Sequence, residues 1–148
     1  CIIDTNPNPD IRQVTAMVVA THVLSPIQLN QEAIDGIGRL YTNIQKLKKI
    51  NKELNFLGLI PNLVEATPFQ KNNLNELATN FGTLLFKLDT GKVAFIPTRT
   101  ALAEAQAAGL PVWKIPKTSA KTAWSELRFV FEVIIERLGI TVKNPDTN

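Results

Sequence analysis

The sequence is poor in the residues that build disulfides and metal clusters. It has one cysteine and one histidine, so no internal disulfide can form and a reducing compartment is expected. His22 has no cysteine, histidine or acidic cluster around it, which favours a structural role over a catalytic or metal-binding one. No apolar run approaches the ~20 residues that a membrane-spanning helix needs, and no signal peptide is evident. These absences argue against a disulfide-rich secreted protein and against a membrane-spanning one.

The sequence also contains no Gly-x-x-x-x-Gly-Lys-Ser/Thr loop, the segment that cradles phosphates in many nucleotide hydrolases. What it does contain is enough for one core, since 45% of its 148 residues are hydrophobic and 20% are charged. With 16 Lys and Arg against 13 Asp and Glu, the chain is mildly basic, which permits a polyanionic partner without requiring one. Because it opens on Cys1 inside an apolar segment, we expect it to be the remainder of a longer protein.

Short apolar segments alternate with helical patterns along the chain. Such alternation predicts an α/β fold with a mostly parallel sheet and flanking helices. Residues 84–88 fit either a short strand or a helix tail, and residues 110–113 are predicted to be extended. Strands are predicted at residues 1–3, 22–27, 56–60 and 93–96. Helices are predicted after residue 9, after Asn30, after Thr67, at residues 101–108, and from Thr118 or Ser119 to about residue 138.

The first predicted strand ends in an acid. Three apolar residues lead directly to Asp4, and Pro7 prevents the strand from continuing. Ligands of open α/β sheets lie beyond the carboxyl ends of the strands, where an aspartate commonly orders Mg²⁺ in nucleotide hydrolases. Asp4 is therefore a candidate metal residue, and the alternative is a strand-end cap or turn.

Basic residues gather in two places. The helix after Asn30 ends in a lysine-rich run at residues 46–52, which is explained either as a complement to the helix dipole or as a DNA contact. Further cations lie at the start of the last helix, where a phosphate could also use backbone N–H groups. These candidates for DNA binding are Lys114, Lys117, Lys121 and Arg128.

In the last predicted helix the apolar residues predict a wide buried face. Residues 124, 127, 130, 131, 134 and 138 lie on this face, whereas Phe129 and Val133 lie off it. We therefore expect the back of the helix to meet another element or another subunit.

Several segments, taken in order, resemble the C-terminal part of ParA/MinD-type partition ATPases, closest to the ParA branch. These segments are CIIDTNP, ATHVLSPIQLNQEAIDGI, LGLIPN, IPTRTALAEAQAAGLPVW and IPKTSAKTAWSELRFVFEVI. The resemblance runs from Cys1 to about Gly139, and the IPTRTALAEAQAAGLPVW segment is its most specific part. It implies that residues 1–139 are part of a ParA-like nucleotide-binding domain of the P-loop class, and that residues 140–148 are a flexible tail.

The resemblance also implies a function. ParA-type proteins bind ATP and Mg²⁺, form homodimers around nucleotide and bind DNA without sequence preference, and a ParB-type partner stimulates their hydrolysis. They position plasmid or chromosomal DNA in the cytoplasm, associated with the nucleoid. The implied alternative for this chain is a DNA-binding or dimerisation module of the same fold that does not catalyse hydrolysis.

The resemblance assigns roles to individual residues. Asp4 takes the catalytic, metal-binding position at the strand tip. The switch that follows it includes Thr5, Asn6 and Pro7, although the family usually has proline where Asn6 stands. The adenine pocket is assigned to Asn62, Pro97, Thr98 and Arg99.

The glycine-rich loop and the aspartate that orients water in the family belong to segments that this sequence lacks. Without them no charge-compensated phosphate site can form, so we expect this chain alone to be inactive as an ATP hydrolase. An unrelated doubly wound domain, such as a flavodoxin-like or receiver protein, is the remaining alternative. A receiver is disfavoured because Asp4 has no acidic companions nearby in the sequence.

Overall fold

The computed structural model describes residues 1–5 and 10–140. The predicted tail therefore lies outside the described residues from position 141 onward. None of the helices in the described part is long and apolar enough to cross a bilayer. In chain order the elements are α1 (Ile11–Val19), β1 (His22–Ile27), α2 (Gln31–Ile50), β2 (Asn55–Val64), α3 (Pro68–Phe81), β3 (Ile96–Pro97), α4 (Thr100–Ala107), a 3₁₀ turn (Val112–Lys114) and α5 (Thr118–Arg137).

The three strands form one parallel layer in the spatial order β1-β2-β3. Successive residues of a strand face opposite sides of a sheet, and Leu59 and Ile60 of β2 accordingly enter different cores. Leu59 belongs to a cluster with residues of α2 and α3, whereas Ile60 belongs to a cluster with residues of α5. The sheet is thus covered by helices on both faces, which confirms the predicted α/β class.

The helix predicted after Asn30 forms for the reasons that its sequence suggests. Oδ1 of Asn30 accepts a hydrogen bond from the N–H of Ala33 at 2.8 Å, which caps the first turn of α2. Apolar residues at spacings of three and four then face the sheet and α1. The buried residues of α2 are Ile34, Ile37, Ile44 and Leu47.

Within residues 84–88, which the sequence left undecided, two residues form strand-like bridges to two different neighbours. Leu85 forms a parallel bridge with Leu59 of β2, and Lys87 forms an antiparallel bridge with Val93. The segment therefore lies beside β2 and turns back on itself before β3 begins.

This pairing depends on Gly58. Its φ is +134°, a conformation that residues with a side chain rarely adopt, and a Cβ there would lie 3.0 Å from both the carbonyl oxygen of Leu84 and the backbone nitrogen of Phe86. The same backbone atoms bond to the next residue, Leu59. Its N–H donates to the oxygen of Leu84 at 2.7 Å, and the N–H of Phe86 donates to the oxygen of Leu59 at 2.9 Å.

The buried strand expected at residues 1–3 does not form. Ile2 is 97% exposed and Ile3 is 50% exposed, and neither belongs to a strand. A strand needs a neighbour to satisfy its backbone N–H and C=O groups. Across residues 1–5 and 10–140, no strand pairs with this segment.

The prediction that Pro61 and Asn62 end the third strand is wrong, because β2 continues to Val64. Pro61 is the partner of Ile27, the last residue of β1, and pairing with β3 begins at the next residue, between Asn62 and Ile96. The missing N–H of proline therefore falls where β2 passes from one neighbour to the other, a position at which a strand tolerates proline.

The start of α5 differs from the prediction in two ways. Residues 110–113 are not extended throughout, since Val112–Lys114 is a 3₁₀ turn. Neither Thr118 nor Ser119 caps α5. The cap position is Lys117, and its side chain makes no capping hydrogen bond.

The buried face of α5 is also rotated from the predicted one. Val133, predicted to lie off that face, is 6% exposed, whereas Phe131, predicted to lie on it, is 42% exposed. Val133 and Val130 lie one turn apart and pack together in the cluster beneath the sheet. Phe129, the other residue predicted to lie off that face, is 50% exposed, so no described element buries it and a contact with another subunit stays a prediction.

Candidate functional site

The carboxyl ends of β2 and β3 lie side by side. Asn62 pairs with Ile96 and Val64 pairs with Pro97 in parallel register. The N–H of Thr98 donates to the carbonyl oxygen of Val64 at 2.9 Å. Pro97 is the last residue of β3, rather than the residue after the strand. The structure thus brings together three of the four residues predicted for the adenine pocket, at the edge of the sheet where α/β proteins place ligands.

A bulge shapes the tip of β2. The pairing with β3 skips Leu63, whose φ of +55° lies in the left-handed region that residues with a side chain seldom occupy. Oδ1 of Asn62 accepts a hydrogen bond from the N–H of Leu63 at 2.9 Å. This bond uses one lone pair of the amide, which retains a second lone pair and the Nδ2 donors. A half-buried amide of this kind can pair with the edge of a base.

Arg99, the fourth predicted pocket residue, is engaged with α5. Its Nε and Nη2 donate to Oε2 and Oε1 of Glu126 at 2.8 and 2.6 Å, a two-pronged ion pair. The hydrogen bonds from Arg99 hold the pKa of Glu126 below its ordinary value, against the opposing effect of partial burial. A ligand contact by the Nε and Nη2 edge of Arg99 therefore requires this pair to open, whereas Nη1 is not used by the pair.

A groove of about 620 Å³ runs between the region of β3 and α5. Of the predicted pocket residues, Pro97 and Arg99 line it and Asn62 does not. The groove is therefore a different concavity from the tip of β2. Its walls include Phe95, Pro97 and Arg99 on one side, and Glu126, Arg128 and Phe129 on the other.

The predicted metal and switch residues are not part of the sheet edge as described. Asp4 and Thr5 are exposed and belong to no strand, while Asn6 and Pro7 lie outside the described residues. Within the described ranges, no group of three or more His, Cys, Asp or Glu side chains could hold a metal ion. Protein-bound Mg²⁺ is usually held by one or two carboxylates together with substrate phosphates, so Asp4 could supply one carboxylate where a phosphate cradle completes the site, and its metal role stays a prediction.

The predicted basic residues form a stripe at the start of α5 and along it. All of them are exposed: Lys114, Lys117, Lys121 and Arg128. Two are paired with acids, because Lys117 contacts Glu104 at 2.9 Å and Arg128 contacts Glu132 at 2.7 Å. Lys114 and Lys121 form no ion pair with any other described residue.

The sequence reasoning missed two features of this region. One is the pair of Arg99 and Glu126, which lie 27 positions apart, too far for any local pattern to join them. The other is a stack of Trp113 on Trp124, with ring centroids 4.6 Å apart. The predicted extended segment before α5 concealed this stack, because the 3₁₀ turn is what carries Trp113.

Three comparisons with known proteins bear on this geometry. Residues 1–56 match a protein family described as AAA domain. Over 141 residues the chain is 33% identical to protein IncC of Escherichia coli, covering 95% of this chain and 38% of IncC. The structure of Cyanothece McdA in a complex with ATP has a TM-score of 0.65 at 16% identity, covering 90% of this chain and 48% of that chain.

These similarities confirm the predicted resemblance to ParA-type partition ATPases. A second solved structure, cobyrinic acid a,c-diamide synthase from Mycobacterium smegmatis with bound ADP and magnesium, is similar in fold. It has a TM-score of 0.50 at 21% identity, covering 68% of this chain and 44% of that chain. The chain spans about 38% of the length of IncC.

The resemblance implies a nucleotide site, and the residues present can be compared with what such a site needs. The tip of β2 and the end of β3 offer an amide and a proline ring, which fit the base end of a nucleotide. The sequence contains no glycine-rich phosphate loop, so these residues include no such cradle for the phosphate end.

Proposed function

We propose that this chain is the C-terminal part of a ParA-type ATPase that positions plasmid or chromosomal DNA. The intact protein binds ATP and Mg²⁺ and forms a homodimer around the nucleotide. It binds DNA without sequence preference, and a ParB-type centromere-binding partner stimulates its hydrolysis of ATP. It acts in the cytoplasm, in association with the nucleoid. The 33% identity to IncC supports the general assignment.

The observation that carries the proposal is the register of β2 and β3. Asn62 and Pro97 lie 35 positions apart in the chain, and the parallel pairing of their strands sets them at one edge of the sheet. An amide and an apolar ring at one edge of a sheet can together recognise a purine, since the amide can pair with the base edge and the ring can pack on its face.

The role of this chain is therefore to hold the base. The second lone pair of Asn62 Oδ1 accepts from the exocyclic amine of adenine, while Nδ2 donates to a ring nitrogen. The bond from the N–H of Leu63 keeps the amide in place. Pro97 supplies an apolar surface to the base, and Arg99 can offer Nη1 to the nucleotide while Nε and Nη2 hold Glu126. ATP and Mg²⁺, when bound, supply the phosphoryl chemistry.

The DNA-binding part of the proposal rests on the α5 stripe. Lys114 and Lys121 are the sharper test positions, because reversing Lys117 would also set a new carboxylate against Glu104. Replacing Lys114 and Lys121 by Gln should weaken DNA binding for every sequence alike and flatten its salt dependence. The same change at Lys71, which is exposed on α3 across the sheet, is the matched control. An unchanged salt slope in the double variant would refute this role.

The second candidate is a DNA-binding or dimerisation module that does not hydrolyse ATP. It is favoured by two observations: Asp4 is a lone exposed carboxylate, and Asn6 stands where the family usually has proline. Under either candidate the isolated chain should not turn over ATP. Magnesium-dependent hydrolysis by this chain alone would contradict both.

The nucleotide site is tested by Asn62→Asp in the full-length protein. The substitution keeps the shape of the side chain and replaces its donor with an acceptor. Losing the pairing with adenine should weaken ATP binding by about 10- to 100-fold, the equivalent of about 1.5–3 kcal/mol. GTP binding should change less, so the preference for ATP over GTP should fall. Titration with fluorescent nucleotide analogues measures both.

The control is Asn75→Asp, which makes the same change of charge at an exposed position of α3 and should leave both affinities within about twofold. Equal losses of ATP and GTP affinity in Asn62→Asp would show that Asn62 does not read the base.

A further inference from the structure

The two tryptophans of the chain form a single feature on the surface beside α5. Trp113, on the 3₁₀ turn, and Trp124, on α5, have ring centroids 4.6 Å apart at an interplanar angle of 48°. Trp113 remains 57% exposed. Trp124 is half-buried, so one indole serves as a platform for the other.

Packing against a buried core holds the two tryptophans in place. Trp124 packs against a core cluster formed by α4, the 3₁₀ turn and α5. Val112, the residue before Trp113, is 6% exposed in the same cluster, together with Ala120 and Ala123 of α5. The backbone that carries Trp113 is therefore anchored on both sides, and the exposed indole is held in a defined place. A large apolar ring kept in water at such a place is a frequent mark of a binding surface.

The ring lies among cations. Counted from Lys117, the residues Lys121, Trp124 and Arg128 follow at four, seven and eleven positions, which places all four on one face of α5. These four positions span a length on the order of 16 Å along the helix. Lys114 is adjacent to Trp113 in the 3₁₀ turn.

The charge that remains on this surface is positive. Glu104 and Glu132 neutralise Lys117 and Arg128. This leaves Lys114, which follows Trp113 in the chain, and Lys121, three positions before Trp124, without an acid partner among the described residues. A cationic peptide is therefore a poor occupant. A membrane surface fits less well than a nucleic acid, because exposed lysines and the exposed polar residues Thr118 and Ser119 interrupt the apolar side chains of this part of the chain, among them Leu110, which is 46% exposed.

We propose that this surface binds single-stranded nucleic acid, with an unpaired base stacked on the indole of Trp113 and the adjoining phosphates over Lys114 and Lys121. An exposed aromatic ring beside cations is the arrangement that single strands recognise, since every base has a face that can stack. A duplex keeps its bases stacked on one another and offers only phosphates and groove edges to this surface. The inference rests on the DNA binding proposed above and adds a preference for unpaired strands.

Intrinsic fluorescence tests the contact directly. The chain has two tryptophans and both belong to this pair, so its tryptophan emission reports on this surface alone. Titration with single-stranded oligo(dT) should quench the emission, and a duplex of the same length should quench it much less at equal salt. Quenching by anionic phospholipid vesicles, with none by oligo(dT), would overturn the proposal in favour of a membrane.

Substitutions separate stacking from charge. Measured by the anisotropy of labelled oligo(dT), Trp113→Ala should weaken single-strand binding by roughly 10-fold, with an unchanged salt slope, and should change duplex binding by less than twofold. Trp113→Phe, which keeps a ring, should recover part of the loss. Lys121→Gln should weaken both ligands and lower both salt slopes. Because Trp113 lies outside the buried core, circular dichroism should confirm that its variants fold.

The outcomes distinguish this inference from the proposed function. Equal losses for single strand and duplex in Trp113→Ala, or no loss for either, would overturn the stacking contact and leave duplex binding intact as a property of the lysines. Failure of the unaltered chain to bind either form of DNA would overturn both.

Discussion

Residues 84–86 approach β2 closely at Gly58, so even a single added methyl group there should lower the stability of the fold strongly. Gly58→Ala adds one methyl group, and it does so at a φ of +134° with backbone atoms of Leu84 and Phe86 only 3.0 Å from the new Cβ. Neither neighbour is the end of a flexible side chain. The backbone itself must move.

The cost can be built from two terms. The strained backbone contributes about 1–3 kcal/mol. Moving Leu84 and Phe86 away weakens their hydrogen bonds to Leu59, each contributing about 1 kcal/mol. We therefore expect Gly58→Ala to lower the free energy of unfolding by about 3 kcal/mol, equivalent to a fall in melting temperature of roughly 6–12 °C for a chain of this size.

Urea unfolding followed by circular dichroism measures this difference, and α2 provides a matched control. Gly38 is exposed in that helix, and a Cβ there would meet nothing within 4 Å. Gly38→Ala should therefore raise stability by up to about 1 kcal/mol, because alanine is the better helix former. The two substitutions should have opposite signs. A Gly58→Ala variant as stable as the unaltered chain would refute the close approach.

Two further predictions concern buried or paired polar groups. Nδ2 of Asn73, a residue only 7% exposed, donates to the carbonyl oxygen of Leu29 at 3.0 Å. Asn73→Asp should lower the free energy of unfolding by about 3 kcal/mol, measured in urea at neutral pH. Asn72→Asp, at an exposed neighbouring position, should lower it by less than about 0.5 kcal/mol. Since Arg99 lowers the pKa of Glu126 below 4.5 in the folded chain, their pairing stabilises the fold above that pH and the stabilisation is lost as the pH falls through the lowered pKa. Glu126→Gln should therefore lower the free energy of unfolding by up to about 1 kcal/mol at pH 7, a modest value because both side chains are partly exposed. The difference in stability between the variant and the unaltered chain should shrink in unfolding experiments well below pH 4.5. A difference that is constant with pH would contradict the pairing.

The sequence correctly predicted those helices that are determined by residues a few positions apart. Asn30 followed by apolar residues at spacings of three and four predicted α2, and Thr67 with Pro68 predicted the start of α3, because capping and helical periodicity depend on residues a few positions apart. The helix predicted at residues 101–108 likewise ends before Gly109, whose φ of +61° suits the residue after a helix.

The predictions failed where distant partners decide. Residues 1–3 have the composition of a buried strand, but no described strand pairs with them. Pro61 is a strand breaker by its chemistry, yet β2 accommodates it at the point where its neighbours change.

The same limit applies to the candidate site. Asn62 and Pro97 could be assigned to one edge because parallel strands end together. The ion pair of Arg99 with Glu126 and the stack of Trp113 on Trp124 depend on how α5 packs, which no local pattern encodes.

Photolabelling of the full-length protein with 8-azido-ATP most directly tests the claim that the tips of β2 and β3 hold adenine. After digestion with trypsin, Asn62 lies in the peptide of residues 53–71 and Pro97 in the peptide of residues 93–99. Mass spectrometry should find the label on one or both of these peptides, and excess ATP should prevent it. Labelling that ATP prevents, but that falls on neither peptide, would contradict the assignment.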